Sequence, residues 1–129
     1  MRGSGSMNTL LWICQILLGL TFLFSGVSKS TLPVTRLVAK GQTGVEGLPA
    51  GLVRFIGVCE LLGVVALVLP WYLGIVPILT PVAALGLGII MLLAARVHFG
   101  RREFKTVAAN LSLFSLCLVV AAGRLWDLQ

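Results

Sequence analysis

RFIGVCELLGVVALVLP, residues Arg54 to Pro70, is the stretch whose reading decides the fold. Its apolar residues run on without the two-residue alternation of a membrane strand, for nearly the ~20 residues a helix needs to cross a bilayer. Glu60 stands in its middle and is the only charged residue between Phe55 and Ala95. An ionisable group at such depth costs about 3 kcal/mol or more unless it is paired, or faces a bundle interior or a wet cavity. Most of this stretch is therefore scaffold. Glu60 breaks the scaffold's rule and is the first candidate for function.

The same reading extends in both directions. The chain has 129 residues, of which 58% are hydrophobic and 11% charged, whereas soluble domains carry about 25% charged residues. Four spans are expected, at about residues 8–28, 52–69, 73–95 and 106–123. The expected fold class is all-α, an integral membrane antiparallel four-helix bundle forming a single domain over residues 7–129. MRGSGS at residues 1–6 reads as an expression-tag remnant. The first span is too long for a signal-peptide core and lacks a small-x-small cleavage site before Lys29, so it reads as a retained helix. Spans two and three are separated by only a few residues around Trp71 and Tyr72, which predicts a hairpin with its aromatics at the membrane interface. The first loop holds VTRLVAK and several glycines and prolines, and predicts a short interfacial helix followed by an irregular return.

Net charge is +6, but no basic run is interleaved with aromatics, which argues against nucleic acid as a partner. The cations instead flank the spans, where they meet membrane lipid. Lys29, Arg36, Lys40 and Arg54 border the first loop and Arg96, Arg101, Arg102 and Lys105 the third, whereas the opposite side has only Arg124 once Arg2 is set aside. The positive-inside rule then places loops 29–54 and 96–105 in the cytoplasm and both termini outside a bacterial or archaeal cytoplasmic membrane. Cys14, Cys59 and Cys117 form no CxxC and lie at different depths, so thiol redox chemistry is not expected. One histidine and one buried carboxylate do not make a metal site.

At ~1.5 Å per residue, Glu60 lies roughly 10 Å inside the membrane from the basic-loop side, and Ser25 and Asn110 roughly 5–6 Å. Lys29 and His98 sit at helix ends on that side. Polar groups from all four spans thus share one half of the bilayer, and Ser25, Lys29, Glu60, His98 and Asn110 form the candidate site. Thr21, Ser25 and Lys29 follow at four-residue steps, so Lys29 can reach back toward a carboxylate. Gly57 and Gly63 flank Glu60 on a face that another helix can approach closely. Each candidate also has a plainer role. Glu60 could be one half of a structural ion pair with Lys29, Arg54 or His98. His98, a single ring at a helix end, reads first as an interface residue, and Asn110 as an interhelical hydrogen-bonding residue, each with a ligand contact second. Gln15 reads as glue between helices.

FLFSGVSK (Phe22 to Lys29), the Arg54–Pro70 stretch, MLLAARVHF (Met91 to Phe99) and the asparagine of AANLSL together resemble the DoxX and DoxX-like family of small four-helix membrane proteins. The resemblance covers essentially the whole chain after residue 6. It implies association with membrane oxidoreductase complexes, as for the subunit of an archaeal thiosulfate:quinone oxidoreductase that gave the family its name. Distant animal relatives imply a role in receptor assembly instead. It also implies that Lys29, Glu60, His98 and Asn110 form a shared polar site. The function expected is a membrane subunit with no intrinsic cofactor that binds a lipid-soluble ligand, a quinone for preference, beside a partner redox or membrane subunit or a second copy of itself. Two alternatives stay open: a non-catalytic assembly or chaperone subunit, and a small proton-coupled carrier. Whether the chain is itself an enzyme is also left open.

Overall fold

The computed structural model describes residues 5–129, so the reading of residues 1–6 as a tag lies largely outside the described residues. Five α-helices follow in order: α1 (Gly5–Thr31), α2 (Val34–Ala39), α3 (Ala50–Leu73), α4 (Leu79–Gly100) and α5 (Phe104–Asp127). All but α2 are long and apolar enough to cross a membrane. The all-helical four-span bundle expected from the sequence is the one observed, and α2 is the short helix expected in the first loop.

α1 packs closely along α3, and α4 along α5; α3–α4 and α1–α5 contacts close the ring. Small residues set these approaches. A Cβ on Gly57 would lie 2.8 Å from Lys29 Cβ and 2.7 Å from Ser30 Oγ, and one on Gly26 would lie 3.0 Å from the Gly57 carbonyl oxygen. Between the pairs runs an apolar core that includes Leu18, Phe22, Leu67, Leu87, Met91, Cys117 and Val120. A second, smaller cluster of Leu37, Val45 and Val53 fastens the first loop to the start of α3. Arg54 Nη1 donates to the carbonyls of Lys29 (2.8 Å) and Leu32 (2.5 Å), supplying a cation and donors where the end of α1 leaves carbonyls unpaired.

The helix limits correct the sequence reading at one corner. Pro70 was expected to stop span two, and span three to begin at Leu73. Instead Pro70 lies inside α3, which continues to Leu73 and ends at Gly74 in the left-handed conformation (φ 71°). Proline removes the N–H that would bond the carbonyl four residues back. That carbonyl belongs to Ala66, and it accepts a hydrogen bond from the Thr80 hydroxyl of α4 at 3.2 Å. The break is thus healed from the neighbouring helix. Pro77 falls in the α3–α4 turn and Pro81 in the first turn of α4, where helical N–H groups lack partners in any case.

Candidate functional site

The apolar bundle brings its polar side chains together at its two ends. At the end carrying the basic loops, Glu60 is completely buried (0% exposed). It accepts a hydrogen bond from Ser25 Oγ at 2.9 Å and faces Lys29 Nζ at 3.3 Å and 3.4 Å through its two oxygens. The four-residue spacing of Ser25 and Lys29 on α1 puts both on the face that Gly57 allows close to α3. Of the three cations considered for Glu60, Lys29 is the partner. Arg54 is occupied at the end of α1, and His98 pairs elsewhere.

His98 Nδ1 lies 2.8 Å from Glu103 Oε1. Glu103 Oε2 accepts from the Thr43 hydroxyl at 2.7 Å, and Arg101 links Glu103 (3.1 Å) to Glu46 (2.7 Å). These bonds hold the turn at residues 43–45 against the end of α4. Gly44 lets the turn approach the ring closely: a Cβ there would sit 3.0 Å from His98 Nε2, so the imidazole would have to shift by a few tenths of an ångström. The hydrogen bonds from Thr43 first, and then His98, hold the Glu103 carboxyl below its ordinary pKa. The bond to Glu46 raises Arg101 further above its already high value.

Beneath this turn lies a cavity of about 490 Å³ between the helices. Ser25, Lys29, His98, Thr106 and Asn110 supply its polar edge, and its walls include Phe22, Ile56, Cys59, Ile90, Met91 and Leu113. Of the sequence candidates, Ser25, Lys29, His98 and Asn110 reach the cavity, while Glu60 lies behind Ser25 and Lys29 and is not part of its lining. Phe55 on α3 and Leu93 on α4 also line it, although they are 65% and 59% exposed on the outer surface of the bundle. The cavity therefore opens at the outer surface of the bundle between α3 and α4. Asn110 corrects an expectation. Its side chain makes no interhelical hydrogen bond, and its Nδ2 is buried without a partner at the cavity wall. Such an orphan is uncommon and costs about 1–3 kcal/mol.

The family of the chain follows from comparison with known proteins. The family model described as the DoxX-like family matches residues 13–121, a range that takes in α2, α3 and α4 whole, most of α1 and α5, and every residue of this site. The chain belongs to the DoxX-like family. No curated protein and no solved structure matches it. In this DoxX-like protein the residues without a functional role in the sequence reading are Gly44, which lines the cavity, Thr43 and Glu103, whose hydrogen bond holds the turn that carries it, and Arg124 at the opposite end. Loop residues carry no periodic signal, so only the adjacency of Glu103 to the basic third loop could have pointed to them.

Proposed function

We propose that this DoxX-like membrane protein is a subunit that binds a neutral, lipid-soluble ligand bearing hydrogen-bond acceptors, a quinone for preference, in the cavity beneath the 43–45 turn. The observation that carries the reading is Asn110, whose amide is buried, unpaired and set in the wall of an apolar cavity that opens at the outer surface of the bundle. A quinone carbonyl is an acceptor of the kind this amide lacks. Because Lys29 and Glu60 cancel each other's charge, the site favours a ligand without net charge. His98, hydrogen-bonded through Nδ1 to the partly exposed Glu103, supports a proton route from the loop surface to the ligand. In a redox-associated complex a partner subunit would supply two electrons, and reduction to the quinol would take up two protons from this side. The basic loop residues support a cytoplasmic position for the cavity end.

The test is binding of a short-chain quinone to the protein in nanodiscs, by calorimetry, with mass spectrometry of any co-purified apolar molecule. Asn110→Leu is expected to weaken binding about tenfold, the value of one hydrogen bond in a dry site. Equal binding by the variant, or none by the wild type, overturns the proposal.

One observation favours the assembly-subunit alternative. Glu60 is satisfied by Ser25 and Lys29 and stands outside the cavity lining, which suits a role in fastening α1 to α3.

A further inference from the structure

The end of the bundle where α1 begins and α5 finishes holds a second polar centre, built around Arg124. Its side chain is 1% exposed. Nε donates to Gln15 Oε1 at 2.7 Å, and Nη1 donates to Asn8 Oδ1 at 2.9 Å and to Asp127 Oδ2 at 3.1 Å. The guanidinium carbon lies over two indole rings, 4.6 Å from the centroid of Trp71 and 5.5 Å from that of Trp12. These contacts fix both its plane and its rotation. The remaining nitrogen, Nη2, is buried and has no hydrogen-bond partner. Arg124 also lines a separate cavity of about 310 Å³, together with Asn8, Trp71, Pro77, Asp127 and Leu128.

A buried guanidinium with one orphaned nitrogen on a cavity is arranged to receive an oxygen acceptor. The charge balance narrows the class. Asp127 already offsets the charge of Arg124, so an anion would gain the Nη2 bonds while meeting a carboxylate. A molecule that carries both signs avoids that conflict. Depth narrows it further: Trp12, Trp71, Tyr72 and Trp126 all lie near this end, as aromatics do at the headgroup level of a bilayer. We infer that this cavity holds the headgroup of a zwitterionic phospholipid. A phosphate oxygen accepts from Arg124 Nη2, and the ammonium is turned toward the aromatic and acidic wall.

The inference is independent of the quinone reading, because the two cavities lie at opposite ends. It is tested by native mass spectrometry of the whole protein released from nanodiscs of phosphatidylethanolamine mixed with phosphatidylglycerol. Two variants are compared with wild type. Arg124→Lys keeps the charge but has no second terminal nitrogen. Leu128→Trp leaves every bond of Arg124 in place and fills the cavity, so a folding defect in the first variant does not blunt the test. Wild type is expected to retain phosphatidylethanolamine in preference to phosphatidylglycerol, and each variant to lose that retention about tenfold. Equal retention by Leu128→Trp, equal retention of the two lipids, or no retained lipid overturns the assignment. Displacement of the lipid by added inorganic phosphate also overturns it, marking a free-phosphate site instead.

Discussion

Glu60 shows how a single buried charge can be made tolerable inside a bilayer. Its two oxygens meet one hydroxyl and one ammonium, all delivered from a single face of α1. Removing one member of a buried pair strands the other, at a cost of about 3–5 kcal/mol, whereas replacing both by apolar residues of similar volume is often close to neutral. Lys29→Met alone and Glu60→Leu alone are therefore expected to destabilise the protein by that amount in denaturant titrations from mixed micelles. The double variant should recover most of the loss. Its quinone binding then separates the two roles of the pair: recovery of stability without recovery of binding assigns the charges to the ligand. The pairing was legible in the sequence as one of three possibilities: the four-residue step from Ser25 to Lys29 lets Lys29 reach back toward a carboxylate, but leaves Arg54 and His98 equally open as partners. The role of Arg124 was not legible. A cation near the chain's end reads as an interfacial flank, and nothing in its neighbours announces that Gln15, 109 residues away, accepts its Nε proton.

At the scale of the elements, hydropathy made the four spans visible, but not where they end. Pro70 would stop an isolated helix. It is carried here because Thr80, across the hairpin, satisfies the carbonyl that proline leaves bare, and such long-range compensation has no local signature. The same holds for the 43–45 turn, whose position rests on Thr43 and Glu46 of one segment meeting Arg101 and Glu103 of another. Because the Glu103 carboxyl is held below its ordinary pKa, its contribution to closing the turn is present above the unfolded-state value. It is lost as pH falls through the lowered folded-state value. Arg101 is shifted upward, and its contribution disappears only at strongly alkaline pH. Spin labels placed at Lys40 and Lys105 should therefore report a narrow distance distribution at neutral pH that broadens in strong acid. Glu103→Gln should broaden it already at neutral pH. A distribution that stays narrow in that variant would show that the turn is held by apolar packing of Val45 and Leu37 alone.

The bundle is polar at both ends and apolar between them. The Lys29–Glu60 pair and the Gln15–Arg124 network stand roughly 15–20 Å apart along the bundle at ~1.5 Å per helical residue, and the core residues between them are Leu18, Leu67, Leu87, Cys117 and Val120. Liposomes loaded with a pH-sensitive dye and bearing the protein are expected to leak protons no faster than empty ones under an imposed gradient. Faster, Glu60-dependent leakage would revive the carrier alternative. That apolar waist divides the bundle into two separate polar compartments. No chain of polar side chains among these core residues joins a guest in the larger cavity to the Arg124 end, so each end can be altered by substitution without disturbing the other.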